Sequence, residues 1–182
     1  MYYNAVKAET NIEWPVMDHD FFPYRLMENQ GWTGFYTSRP NTKKLVKDYS
    51  NLYHAQASLF ARKVIDKTLN NMEIQSVLDH MRQAEDWLSI LQHHDGVTGT
   101  AAAYVDMDYK TNLVRSFKTS EADYRNYAYQ SLRDETGIHV RNQGNGLSMC
   151  NDKSQNHTVV ECPINDNQNA SQVIVVVHNP MT

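Results

Sequence analysis

Leu91-Gln92-His93-His94-Asp95-Gly96-Val97-Thr98-Gly99-Thr100 is the stretch on which the reading of this 182-residue chain turns. Upstream of it, Ile74, Val77, Leu78, Met81, Ala84, Trp87, Leu88 and Leu91 recur along one helical stripe. The glycines at 96 and 99 then force the chain to turn. An earlier helix, from about Pro40 to about Lys67, is traced by Leu45, Tyr49, Leu52, Leu59, Phe60 and Val64, with Asn41 as its expected N-cap. Asn70-Asn71 separates the two. After the glycine turn, Thr100 can cap a third helix carrying Val105, Tyr109, Leu113, Phe117, Tyr124, Ala128 and Leu132. Gly137 is a natural left-handed residue to end it. Three amphipathic helices with short connections predict a mainly α fold, an antiparallel three-helix bundle.

The same stretch holds the densest chemistry in the chain. Neutral imidazole is the commonest protein ligand for transition metals, and a neighbouring carboxylate can ligate or bind hydroxyl groups. At about 100° per residue, the apolar stripe carried forward puts Asp95 near its centre and His94 at its border beside Trp87. His93 then points away. Two readings stand side by side. A histidine pair at a helix C-terminus complements the dipole as a solvated end, or it ligates a metal. The remaining histidines, at 19, 54, 80, 139, 157 and 178, lack the spacings of a self-contained zinc site. A metal at His94 therefore needs most of its ligands from elsewhere.

The flanks differ from the bundle. Residues 1 to about 40 are aromatic and turn-rich, without lasting periodicity, and predict loops with short extended pieces. Their rings either plug the bundle or stack on the apolar faces of sugars. Beyond Gly137, Gly144, Gly146 and the run Val173-Ile174-Val175-Val176-Val177 predict short strands. A continuous apolar strand needs both faces covered, and little sequence remains to cover it. Mean hydropathy is −0.65 with 41% hydrophobic residues, polar for a chain that must bury its own core. Both observations predict a piece of a larger protein, truncated at each end.

Net charge is −4, and no basic cluster falls at helical spacing, which argues against a nucleic-acid partner. No apolar run approaches the ~20 residues of a membrane span. Cys150 and Cys162, the only cysteines, lie in a loop-rich stretch bracketed by sequons at Asn156 and Asn169. This pattern fits either an oxidising, glycosylated compartment or two unrelated thiols with chance sequons. A disulfide across so short a loop would add roughly 2–4 kcal/mol. Met1-Tyr2-Tyr3-Asn4 has no basic or apolar leader region, so the secretory reading expects an N-terminus further upstream.

Three stretches together resemble one family. Asp20-Phe21-Phe22-Pro23-Tyr24 followed by Trp32-Thr33-Gly34-Phe35-Tyr36-Thr37-Ser38-Arg39-Pro40 resembles a highly specific block of the glycoside hydrolase family 38 α-mannosidases. Leu91 to Thr100 resembles a second block of that family, with Gly96 and Thr98 as mild departures. Cys150 to Pro163 and Val173 to Pro180 resemble the passage from a disulfide loop into a C-terminal β region. The proline of Phe-Phe-Pro-Tyr is more similar to the lysosomal branch than to the Golgi one.

The resemblance implies a zinc-dependent, retaining, exo-acting α-mannosidase that trims N-glycans, located in the lysosome. It implies zinc ligation by His94, hydroxyl contacts to the terminal mannose from Asp95, and an aromatic wall from Trp32. It also implies that residues 1–40 end an α/β catalytic domain, 41–137 form the three-helix middle domain, and 138–182 enter a β domain. Retaining hydrolysis needs two carboxyl groups roughly 5–5.5 Å apart, and in this family both precede the first residue present here. The family's His-x-Asp zinc pair is absent, and Arg25-Leu26 replaces its usual Ala-Asp. The expected partners are a mannose oligosaccharide and the flanking domains of the same protein. The chain alone is expected to be inactive. The alternative is a non-catalytic helical module that binds a glycan or a partner through its aromatic loop.

Overall fold

The computed structural model describes residues 1–139, 147–149 and 174–179, which divide into two compact units, Met1–Tyr36 and a second beginning at Thr37. Cys150, Cys162, Asn156 and Asn169 lie outside the described residues, as do Gly144, Gly146 and Val173.

The N-terminal unit holds a seven-residue helix, α1 (Tyr2–Ala8), and an antiparallel hairpin of β1 (Tyr24–Met27) and β2 (Gln30–Trp32). The hairpin is the short extended piece expected there, and α1 is an addition to that expectation. α1 buries none of its residues, so no apolar stripe marks it in the sequence. Asn29, at the hairpin tip, takes φ 65, a left-handed conformation that asparagine tolerates better than most residues. Tyr24 pairs with Trp32 across the ladder, and their rings meet edge to face at 6.5 Å. A single 3-10 turn, Gly34–Tyr36, follows.

The second unit is built on α2 (Pro40–Ile65), α3 (Asn71–Ile90) and α4 (Ala103–Thr136). Pro40 is itself the first helical residue, and Arg39, at φ 47, is the cap position. Asn41 therefore lies inside the first turn and is not the expected cap. Proline's fixed φ and missing N–H suit the first helical position and move the boundary one step earlier. Asn70 caps α3 fully. Its side chain accepts from the N–H groups of Met72 (2.9 Å) and Glu73 (3.0 Å), while Glu73 accepts from the N–H of Asn70 (2.8 Å). Such a reciprocal box contributes about 1 kcal/mol. Gly137 ends α4 at φ 68, as expected.

The long helices run up, down and up. Near the start of α2, Val46, Tyr49 and Leu52 pack with Leu88 and Leu91 at the end of α3 and with Leu113 and Phe117 of α4. Farther along, Val77 and Met81 at the start of α3 join Tyr127 of α4 and the half-buried Leu59 and Phe60 of α2. The Tyr49 and Phe117 rings meet edge to face at 4.6 Å. Burial, then the charges of Glu121 and Asp48, push the Tyr49 phenol up to about 12, so the ring stays neutral at physiological pH. The stripe read on α3 holds throughout. On α2, Val64 is exposed, because in that last turn the inward position is taken by its neighbour Lys63.

Ile174 to Val177 are exposed and form no strand among the described residues. A strand needs a neighbour for its N–H and C=O groups, and no described element supplies one. Among the described residues, no helix is long and apolar enough to cross a membrane.

One buried charge ties the N-terminal ends of α2 and α4 together. Asp106, in the first turn of α4, accepts from Thr42 Oγ1 at 2.8 Å and pairs with Lys110 at 2.8 Å, with Arg39 Nε at 3.9 Å. Burial pushes its carboxyl upward, but the Lys110 and Thr42 donors and the Lys110 and Arg39 charges outweigh that and leave it below the ordinary range. Asp106→Ala is expected to cost about 2–3 kcal/mol by urea denaturation at pH 7. A depressed carboxylate stabilises above its unfolded pKa and stops doing so as pH falls through the folded value. The difference between the two proteins should therefore close in acid, below the usual carboxylate range.

Candidate functional site

α3 stops at Ile90, and the chain continues through consecutive turns rather than as helix. The N–H of Val97 reaches back to Leu91 O, that of Gly96 to His93 O, and that of Gly99 to Gly96 O, each at 2.8 Å. Leu91 is fully buried and Val97 packs on the same core, so the loop between them is anchored at both ends and its tip is pushed outward.

That tip brings His93, His94 and Asp95 together. Asp95 Oδ2 lies 3.4 Å from His93 Nε2 and 3.7 Å from His94 Nε2, and the two rings approach to 4.3 Å between centroids. One ligand-type atom from each residue falls within 4.8 Å of the others. The side chain of His94 is 86% exposed, against 43% for His93 and 49% for Asp95. The expectation that His94 and Asp95 turn inward is thus corrected, while His93 points away from the bundle as expected. The inward expectation extended a 100° step beyond the point where the helix ends, and the turns rotate all three residues to one outer edge. Trp32 belongs to the N-terminal unit, on β2, with its ring half exposed beside Tyr24.

Two threonines fix the tip. Thr100 Oγ1 donates to Asp95 Oδ1 at 2.8 Å, and Thr98 Oγ1 donates to the carbonyl of His94. Thr100 is therefore not the cap of α4, whose N-cap is Ala102 with no side-chain bond, because its hydroxyl is spent on Asp95. The Thr100 hydroxyl, with the His94 and His93 charges behind it, holds the Asp95 carboxyl below its usual range against a smaller opposing desolvation.

Behind the tip, the residues that open α2 hold the turn from below. Ser38 Oγ donates to Gly99 O at 2.9 Å, and Arg39 Nη1 to Ala101 O at 2.5 Å. Lys43 Nζ donates to Ser38 O at 2.7 Å, Thr98 O at 2.8 Å and Val97 O at 3.0 Å. The segment Ser38–Lys43 and the His-His-Asp turn, far apart in sequence, thus form one hydrogen-bonded assembly. Sequence reasoning missed Lys43 as part of this assembly. The available signal was electrostatic: Arg39, Lys43 and Lys44 crowd the start of α2, where a helix dipole disfavours cations.

The sequence is similar to those of known proteins along most of its length. Residues 30–131, more than half the chain, match the family model described as the alpha mannosidase middle domain. The epididymis-specific α-mannosidase of Homo sapiens is 38% identical over 113 residues, 62% of this chain and 11% of that protein. α-Mannosidase 2 of Drosophila melanogaster is 31% identical over 134 residues, 72% of this chain and 12% of that protein. The α-mannosidase of Canavalia ensiformis is 29% identical over 183 residues, 98% of this chain and 17% of that protein. The chain belongs to the α-mannosidases of glycoside hydrolase family 38, as a segment containing their middle domain. It spans between a tenth and a fifth of the length of these relatives, all of them glycosidases.

Gly99 and Gly137 separate two costs of a side chain. Both are left-handed, at φ 73 and 68. A Cβ at Gly137 would meet nothing within 4 Å, whereas one at Gly99 would stand 2.5 Å from Ser38 O. Gly137→Ala is expected to cost only the backbone term, roughly 1–2 kcal/mol. Gly99→Ala should cost clearly more in the same denaturation experiment and should perturb the NMR signals of His93 and His94, which Gly137→Ala should leave in place.

Proposed function

We propose that this chain is the central segment of a zinc-dependent, retaining exo-α-mannosidase that releases terminal α-linked mannose from N-glycans in the lysosome. The observation that carries the reading is the presentation of His94 and Asp95 side by side on an outward-facing turn at the head of the bundle. The donor chemistry fits the metal. Zinc takes neutral imidazole nitrogen as a ligand, and the His94 ring is 86% exposed, open to an ion held from outside this chain. Asp95 Oδ2, 3.7 Å from His94 Nε2, sets a carboxylate beside that position. Zinc, when bound, supplies a Lewis-acid template for sugar hydroxyls.

The chain's own residues divide the remaining work. His94 offers an exposed nitrogen to an ion whose other ligands come from outside this chain. Asp95, kept ionised by the Thr100 hydroxyl, accepts hydrogen bonds from hydroxyl groups of the terminal mannose. Trp32, on β2 of the N-terminal unit, offers an apolar ring face suited to stacking on a sugar. The two carboxyl groups of retaining hydrolysis are contributed from outside this chain, so the isolated segment does not turn over.

In the full-length protein that carries this segment, His94→Ala should lower both zinc content, read by elemental analysis, and kcat/KM on an aryl α-mannoside by more than 10²-fold. That exceeds the 10- to 100-fold that follows loss of an outer-sphere partner. The 182-residue chain alone, with zinc, should show no hydrolysis. Normal zinc and activity in His94→Ala, or turnover by the short chain, would overturn the reading.

A further inference from the structure

We propose that Lys43 is a positioning residue for the His94–Asp95 edge, acting through the main-chain carbonyls of the turn. The inference rests on the function proposed above, in which that edge meets the metal and the sugar. An ammonium group has three donors, and Lys43 gives all three to carbonyls, those of Ser38, Val97 and Thr98. Its charge stands in the first turn of α2, the end of a helix where a cation is least favoured. A side chain placed against the local rule, and with each donor spent on main chain, is the kind of exception that accompanies a functional constraint.

The geometry shows what the ammonium controls. Thr98, whose carbonyl it binds, holds the His94 carbonyl through its hydroxyl, and Thr98 Oγ1 lies 3.0 Å from Thr100 Oγ1, which holds Asp95. Ser38 links back a second time, through its hydroxyl to Gly99 O. Without the ammonium, three carbonyl dipoles face a common point with nothing between them, and the turn must open to let water in. Leu91, Leu113 and Phe117, fully buried beneath it, have no such reason to move.

The test uses the full-length protein with Lys43→Met, which keeps the apolar stem, and Lys43→Arg, whose planar fork cannot aim donors at three carbonyls around one point. Zinc affinity by chelator competition should weaken about 10- to 100-fold in Lys43→Met, the size of an outer-sphere loss. kcat/KM on an aryl α-mannoside should fall at least tenfold. Amide hydrogen exchange should accelerate at Val97, Gly99 and Ala101 while amides in the middles of α2, α3 and α4 keep their wild-type rates. Lys43→Arg should not restore zinc affinity. Wild-type zinc affinity in Lys43→Met overturns the proposal, and so does exchange that accelerates equally through the whole bundle, which would make the lysine a general stabiliser. If Lys43→Met does not fold, Ser38→Ala removes one strut of the same assembly, and an unchanged zinc affinity there is equally fatal. His94→Ala, run alongside, separates the two ideas. Unaltered zinc in that variant refutes the site itself, whereas loss there with no effect at Lys43 refutes only the positioning role.

Discussion

The connection between α3 and α4 has to reverse the chain and present three polar side chains outward without a helix or sheet to hold its backbone. Buried or half-buried carbonyls without partners are costly, and this turn aims several of them toward the start of α2. Lys43, Ser38 and Arg39 meet them. Glycine at 99 is the complementary requirement, since the same Ser38 carbonyl that accepts from Lys43 leaves no room for a Cβ there. The loop is held by charge on one side and by the absence of a side chain on the other.

That arrangement concentrates positive charge at the N-terminal end of α2, which the macrodipole alone would oppose by a few tenths to 1 kcal/mol per residue. Asp106 answers it. Buried in the first turn of α4, it sits where a helix N-terminus favours an anion, and it engages Thr42, Lys110 and Arg39. Arg39 touches both systems, reaching Ala101 O on the turn side and Asp106 on the bundle side. The electrostatics of the bundle end and the geometry of the outward edge are therefore one network. Arg39 thus bridges the buried carboxylate and the chain entering α4.

Much of the bundle was legible because burial imposes a period. On α3 the apolar residues keep their 3.6-residue spacing from Ile74 to Leu91, and the Asn70–Glu73 box is written in the sequence as well as in the structure. Legibility ended where periodicity ended. Past Ile90 no rule of 100° per residue applies, so His94 and Asp95 read as inward-facing when they lie on the outer edge, and Thr100 looked like a cap when its hydroxyl belonged to Asp95. The exposed helix Tyr2–Ala8 was invisible for the converse reason, that it buries nothing. Lys43 escaped notice because its partners are carbonyls, which every residue has and no sequence pattern marks.

An exposed cluster of two imidazoles and a carboxylate would ordinarily be read as solvated surface. Three features argue otherwise in this chain. The carboxylate is held low and oriented by a threonine hydroxyl, so it is spared the rotamer freedom of an ordinary surface aspartate. The loop beneath is fixed by hydrogen bonds to a segment far away in sequence, so its shape is specified rather than left to solvent. The chain also contains the α-mannosidase middle domain, and the relatives it matches are several times its length. Exposure of His94 is compatible with the shared site proposed above, because the lone pair of an exposed ring nitrogen can be reached by an ion held from outside the bundle, whereas that of a buried one cannot.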